Sequence, residues 1–392
     1  MFENNQNSAS LPSVAFPASR IAAVRCRVYR APISQGVAMS FAPLSHRVMF
    51  LVELSFADGS TGLAESWVNF PVWGWRERVA TVLEGVAPLL VGRTFSDTAE
   101  VRELLLSALT PVGRQAGAIG PVFQTISAID QILWLRAAEA RGVPLAALIA
   151  DSPRGRIPAY GSSLGPDDVA ESAERCLALG LRAAKVKLGF GEERDRENLR
   201  TARRVLGDDY TLLADANQGW DLEEAVRMAK RLEEFDLGWM EEPIRGDAPR
   251  DLEEFAARTG IPVATGENLY GADSFLPYLS AEGVTVLQPD VGKVGGVSDY
   301  LGVVAAARGS SALVAPHQYN GAYSTAVSLQ LAAANPTTPW LEWDIRQNPV
   351  REPVDHLLGP DGFVTVPDGP GIGLHIDLEP LAPHLVDIKE TA

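Results

Sequence analysis

The sequence predicts an α/β protein, a (β/α) barrel joined to a smaller α+β unit, and three observations predict it. From about residue 156 onward, short apolar runs alternate eight times with amphipathic stretches, the pattern of a parallel sheet wrapped in helices. The runs end on polar residues: from Lys187 these are Asp215, Glu241, Glu267, Asp290, His317 and Glu342, spaced 23 to 28 positions apart, the length of one strand–helix unit. Before residue 150 the order differs, with strands first and helices after, which indicates an α+β unit.

Residues 1–20 carry neither a basic start nor a long apolar stretch and read as a disordered or extended polar tail, not a signal peptide. The stretches RIAAVRCRVYR and RVMFLVELSF alternate as strands do, and a turn at 57–60 leads into TGLAESW. Between the two strands, APISQGVAMSFAPLSHR is polar and marked by Pro and Gly, so a loop is expected there. Residues 75–145 read as helices. The α+β domain is therefore assigned to 21–148 and the barrel to 149–358, with strands at IPAYGS, AAKVKLG, TLLADAN, LGWMEEP, PVATGEN, VTVLQPD, ALVAPHQ and PWLEWD. The Pro/Gly-rich segment 359–392 is expected to return to the first domain.

A chain of 392 residues fits a barrel plus a smaller partner, and 46% apolar with 21% charged residues suits a soluble globular protein. The net charge of −16, with no basic run, repels nucleic acid. No run of eighteen apolar residues is present to span a membrane. Cys26 and Cys176 are too few for a disulfide framework, which points to a reducing, cytoplasmic setting.

In this barrel type the catalytic groups stand at the C-terminal ends of the strands. Asp215, Glu241 and Glu267 come from three consecutive strands and offer hard oxygen donors, the ligand type of Mg²⁺; no Cys joins them to suggest zinc. Any one of these acids is better explained as a helix cap or an arginine's partner. Three at near-equal spacing read as one metal site, and without a cation they would raise one another's pKa. The chain holds 29 Arg and only 5 Lys, yet Lys185 and Lys187 sit two apart on one strand face. A buried Lys can lose its proton where Arg cannot. One ammonium is expected to face a substrate carboxylate and the other, its pKa lowered by its neighbour and the metal, to act as base.

His317 follows Asp290 by one strand, and a His oriented by a carboxylate is an acid/base pair. His356, His375 and His384 have no such setting, while His46 lies in the expected polar loop, either near substrate or simply exposed. Glu342 either donates a hydrogen bond from a protonated carboxyl in a dry site or forms a helix-side salt bridge. Together these groups fit removal of the α-proton of a carboxylate substrate.

The motifs KVK, DANQGW, MEEP, GEN, QPDVGKVGG and PHQ, in this order and spacing, resemble the enolase superfamily in its mandelate racemase branch. TISAIDQILWLRAAEARGVPLAALI and the GPGIGL tail extend the resemblance over roughly residues 20–385. It implies a modified (β/α)8-type TIM barrel, (β/α)7β, with an α+β N-terminal capping domain. It also implies Mg²⁺ on Asp215, Glu241 and Glu267, with Lys187 and the His317–Asp290 pair as acid/base groups on opposite faces of the substrate. Lys185 would stand near the substrate carboxylate, Glu342 on the enolate side and Asn217 in the site lining. Asp290 stands where the muconate-lactonizing branch carries Lys, which argues against that branch, and Lys293 reads as a structural lysine of its loop.

Two fates of the enolate remain open: return of the proton to the other face, or loss of a β-hydroxyl. Segment 34–47 offers Ser34, Gln35, Ser40, Ser45, His46 and Arg47, which suits a polyhydroxylated acid. Trp67, with Phe70, Trp73 and Trp75, shapes an apolar pocket or serves as core and sugar-stacking surface. The expectation is an acid-sugar dehydratase acting on an aldonate or aldarate, with racemisation of a 2-hydroxy acid as the alternative and a non-catalytic scaffold as the reading from another class. The resemblance also implies a homo-oligomer, and the charge and the lack of a spanning run lead to the expectation of no nucleic-acid or membrane partner.

Overall fold

A computed structural model describes residues 11–38, 43–246 and 248–391. The N-terminal domain is built on three long antiparallel strands, β1 (Ala15–Ala38), β2 (Pro43–Phe56) and β3 (Thr61–Ser66). A short β4 (Thr94–Asp97) pairs with the start of β1. Alternation in β1 sends Val24, Cys26 and Val28 into a core completed by the helices Thr98–Gln115 and Ile119–Ala140. The second helix is apolar nearly all round because it is sandwiched: Ile126, Ile129 and Ile132 face the N-terminal core, while Trp134 and Leu135 join the barrel's core.

Two expectations are corrected here. Residues 15–20 are not a loose tail, because Ala15, Ser19 and Arg20 pair with Asp97, Phe95 and Thr94; residues 1–10 lie outside the described residues. Most of the loop expected between β1 and β2 is strand, with Ala31 opposite Arg47, Pro32 opposite His46 and, after a register shift, Val37 opposite Leu44. Polar composition reported exposure rather than backbone conformation: a ribbon can pair its own backbone groups without an apolar face.

The second domain contains eight parallel strands: β5 (Arg156–Leu164), β6 (Ala183–Lys187), β7 (Thr211–Asp215), β8 (Leu237–Glu241), β9 (Val263–Thr265), β10 (Val284–Leu287), β11 (Leu313–Val314) and β12 (Leu341–Asp344). Their hydrogen-bonded order is β11-β10-β9-β8-β7-β6-β5-β12. Helical segments fill all seven intervals, so the expected (β/α)7β architecture with its capping domain is present. At the seam between β11 and β12, Thr338 Oγ1 donates to the Val314 carbonyl (2.8 Å) and the Gln318 N–H to Glu342 Oε2 (3.0 Å). Tyr160, Ala183, Leu213, Trp239, Ala264, Val286 and Ala315 fill the barrel interior, large beside small, and Tyr160 meets Trp239 edge to face at 5.6 Å.

The chain after 358 serves both domains. β13 (Phe363–Thr365) pairs antiparallel with the first residues of β5, so it belongs to the barrel, whereas Leu381 packs with Tyr29 and Met49 and β14 (Leu385–Glu390) joins β1 of the N-terminal sheet. Among the described residues no helix is long and apolar enough to cross a membrane.

Candidate active site

The period of two along each barrel strand selects the residues that reach the mouth. In β6, Ala184 and Val186 pack outward under the helices, leaving Ala183, Lys185 and Lys187 on the inner face. In β7 and β8 the same alternation turns Leu213 with Asp215, and Trp239 with Glu241, inward. Lys187 pairs in register with Asp215, and Asp215 with Glu241, so the three strand ends lie side by side. After β9, Gly266 takes φ +129°, and a Cβ there would lie 2.6 Å from the Phe275 ring. Only glycine fits this turn into Glu267.

Each of the three acids meets a cation of the chain. Lys187 Nζ donates to Asp215 Oδ2 (2.5 Å) and to Asn217 Oδ1 (3.0 Å). Lys185 Nζ donates to Glu241 Oε1 (2.6 Å) and lies 2.9 Å from Glu342 Oε1. His317 Nε2 lies 3.1 Å from Glu267 Oε2, and its Nδ1 is 2.8 Å from Asp290 Oδ2. Asn217 stands in the left-handed region at φ 45°, which Asn tolerates, and its N–H donates to Asp215 Oδ1.

Burial pushes the Glu241 carboxyl up to about 8 in spite of Lys185 beside it. Burial would likewise raise Glu342, but Lys185 and His317 overrule it and hold that group at about 2. An ammonium 2.9 Å away thus favours the carboxylate form of Glu342, and of the two readings of this residue the salt bridge, made to Lys185, is the one the geometry supports. Lys187 departs from expectation. Burial and Lys185 lower its pKa, yet Asp215, Glu241 and Glu267 together raise it by more, so the net shift is upward. Burial would lower His317, but Glu267 and Asp290 bring it to about 9.

A cavity of about 460 Å³ opens above these groups, roofed by Trp67 and Phe70 from the segment after β3. Lys187, Asn217, Glu267, His317 and Glu342 line it, as does Trp67. Lys185 lies beneath, fully buried among Glu241, Glu342 and the Tyr160 ring. Three expected substrate contacts fall elsewhere. Ser34 donates to Gln347 from an exposed position. His46 sits beside Arg30 and Ser45, and burial with the Arg30 charge lowers its pKa. Arg47 is fully buried against Asp344 with its guanidinium over Tyr319, one layer behind the cavity. Ser40 and the Gln35 side chain lie outside the described residues.

Other lining residues were not assigned to the site from the sequence: Gln218, Glu242, Arg245, Asn268 and Tyr319, and Lys293, which was read as structural. Lys293 is not merely a loop lysine. Its buried Nζ stands 3.2 Å from Asn268 Oδ1, 3.7 Å from Glu267 Oε1 and 4.2 Å from the Trp67 ring. The scarcity of Lys that singled out Lys185 and Lys187 applied to it equally. Glu242, the second acid of MEEP, takes φ 39°, accepts from Gln218 and Asn268, and is pushed up to about 8 by burial and Glu267.

As placed, among the described residues no three His, Cys, Asp or Glu side chains gather at metal-ligating distance, since ammonium and imidazole groups take the carboxylate oxygens. The donor set nonetheless suits a hard divalent cation: Asp215 and Glu241, fully buried at the ends of adjacent strands, and the partly buried Glu267 just past the end of the next, with positive charge drawn to each.

Residues 21–150 match the mandelate racemase/muconate lactonizing enzyme N-terminal domain, and residues 168–380 match the enolase C-terminal domain-like family. The chain belongs to the mandelate racemase/muconate lactonizing enzyme family of the enolase superfamily. As a member it is similar to D-galactarolactone cycloisomerase of Agrobacterium fabrum, 30% identical over 92% of this chain and 98% of that protein. It is 32% identical to L-talarate/galactarate dehydratase of Salmonella typhimurium, over 84% and 81%. Among solved structures, a mandelate racemase/muconate lactonizing enzyme from Bordetella bronchiseptica RB50 superposes at TM-score 0.84 and 34% identity, over 94% of this chain and 100% of that one. L-talarate dehydratase from Polaromonas sp. JS666, complexed with Mg and L-glucarate, superposes at 0.79 and 27%, over 96% and 99%. Relatives in this family are named as dehydratases, cycloisomerases and racemases, and the chain is an enzyme of the enolase superfamily.

Proposed function

We propose that this enolase-superfamily member is a Mg²⁺-dependent acid-sugar dehydratase, taking the α-proton of an aldonate or aldarate and expelling the β-hydroxyl as water to give a 2-keto-3-deoxy acid. One observation carries the reading: Lys187 on β6 and His317 after β11 open onto one cavity, with the acids of β7 to β9 between them in the strand order. Asp215, Glu241 and Glu267 are the residues to hold Mg²⁺. When bound, the cation supplies positive charge against the second negative charge that builds on a carboxylate as its α-proton leaves.

Lys187 Nζ is the base, oriented by Asn217 Oδ1. Asp215 favours its ammonium form and Lys185 its neutral form, so its readiness depends on how far Asp215 is engaged elsewhere. His317 is the acid. Its Nδ1 bond to Asp290 places the mobile proton on Nε2. Lys187 takes the α-proton and leaves the C–H electron pair in an enolate; that pair then forms the C=C bond as the C–O bond breaks and His317 protonates the departing oxygen. The enol then becomes the ketone. Lys185 holds Glu241 and Glu342 in place, and Trp67 and Phe70 exclude water above the substrate.

The cycloisomerase relative favours a second reading, since the same elimination with a ring oxygen as leaving group opens a lactone and releases no water. Incubating the protein and Mg²⁺ with a panel of aldonates, aldarates and their lactones tests the choice. A 2-keto product from an open-chain acid supports dehydration. A product from lactones alone shifts the reading to cycloisomerisation, and inverted substrate alone to racemisation. The cytoplasm is the proposed setting, in keeping with two buried free cysteines. A homo-oligomer is also proposed, supported by Trp73, Val386 and Ile388 exposed about the edge strand β14.

A further inference from the structure

The barrel segment 317–324, which carries His317, is held from the other domain. Glu65, buried near the end of β3, accepts from the Gly321 N–H through Oε1 (2.7 Å) and from the Ser324 N–H through Oε2 (3.0 Å). These N–H groups open the helix Ala322–Ala334, whose own N-cap, Gly321, has no side chain to satisfy them. The connection continues inward. Asn320 Nδ2 donates to Ser324 Oγ (3.2 Å) and reaches Asp290 Oδ1 and Oδ2 (3.3 and 3.2 Å), and Asp290 Oδ2 meets His317 Nδ1.

Two further contacts grip the same segment. Asn69 Nδ2 donates to the Tyr319 carbonyl (2.7 Å), and Arg47 stacks on the Tyr319 ring. The approach is close: a Cβ on Gly321 would lie 2.8 Å from Met49 Sδ and 3.1 Å from Glu65 Oε1, so these side chains would have to shift. A second inter-domain contact approaches Asp290 by way of Gly292, whose carbonyl accepts from the Trp67 N–H (3.4 Å) and whose N–H donates to Asp290 Oδ1 (2.7 Å), whereas contacts farther along the interface lie on a different helix. Arg102 pairs with Asp299 and Asp130 caps Ser298, on the neighbouring barrel helix.

We propose that Glu65 is a positioning residue for the proton-donating His317–Asp290 pair, acting through Gly321, Ser324 and Asn320. The capping domain thus helps to build the proton-transfer apparatus besides covering the cavity. The role assigned to His317 rests on the dehydratase reading, but the placement of its ring is measurable without turnover.

The test uses the full chain labelled with ¹⁵N-histidine, the His317 signals being assigned by their loss in His317→Asn. In Glu65→Ala and in Gly321→Ala the His317 Nδ1–H resonance is expected to shift or broaden away, and in Arg102→Ala to stay as in wild type. On a substrate found by the acid-sugar panel, Glu65→Ala is expected to lose about 10- to 100-fold in kcat with KM little changed, the scale of a misplacement near 1 Å. Glu65→Gln, which keeps one acceptor oxygen, is expected to fall between Glu65→Ala and wild type, and it carries the test if Glu65→Ala does not fold. An unchanged His317 resonance in a folded Glu65 variant overturns the proposal, as does an equal shift in Arg102→Ala. A shifted resonance in a protein that turns over no acid sugar leaves the positioning intact and sinks the dehydratase reading instead.

Discussion

Lys185 donates to Glu241 across 2.6 Å with both side chains out of solvent, and the same ammonium lies 2.9 Å from Glu342. Removing one partner of a buried pair strands the charge of the other. Lys185→Met is therefore expected to destabilise the metal-free protein by about 3–5 kcal/mol. Urea unfolding in the presence of EDTA measures it. A loss near zero would mean that Glu241 and Glu342 take up protons without cost.

Lys187 and His317 separate in a second experiment. Lys187→Met is expected to lose both α-proton exchange and product. His317→Asn is expected to lose product by a factor of about 10²–10⁴ while exchange persists. Deuterium incorporation followed by NMR in D₂O distinguishes them; exchange lost equally in both variants would deny His317 the separate role of acid.

Mg²⁺ binding is expected to tighten with pH. Burial alone would lower the His317 pKa, but Glu267 and Asp290 lift it to about 9, so a cation taken up by Glu267 competes with that proton. Affinity should rise as the pH approaches 9, with proton release visible by calorimetry in buffers of different ionisation heat. His317→Asn should flatten the dependence, and EDTA should abolish turnover.

Asp130, remote from the acids, gives a stability signature. Burial pushes its carboxyl up to about 7, above the unfolded value near ~3.9. A raised folded pKa contributes stability that is complete below the unfolded value and is lost as the pH climbs through the folded one. Asp130 alone thus makes the protein less stable between about pH 4 and 7. Asp130→Asn, which still accepts from Ser298, should remove that slope from thermal unfolding curves.

The strand-end residues were legible because two periods coincide. One βα unit brings a strand end to the mouth every 23 to 28 residues, and alternation within each strand turns Lys185, Lys187 and Asp215 inward. Ser34, His46 and Arg47 were misplaced for the opposite reason. Polarity marks a ribbon as exposed but does not say where the capping domain docks, and docking leaves Ser34 on Gln347 and Arg47 behind Tyr319. Lys293, Glu242 and Asn268 sit inside recognised motifs, but their approach to the cavity depends on turns such as that at Glu242, which no period signals.

The sequence by itself determined the family, the alternation of strands and helices, and the identity of the acids, lysines and His/Asp pair at the strand ends. These are local properties, carried by spacing and side-chain chemistry. Tertiary structure decided the partners. Lys185 finds Glu241 56 positions away only when β6 and β8 curve about one axis, and it meets Glu342 only because β12 returns beside β5. Glu65 reaches Gly321 across 256 positions and a domain boundary. Such pairings are fixed by sheet curvature and domain docking, which sum over the whole core and leave no mark at the individual residue.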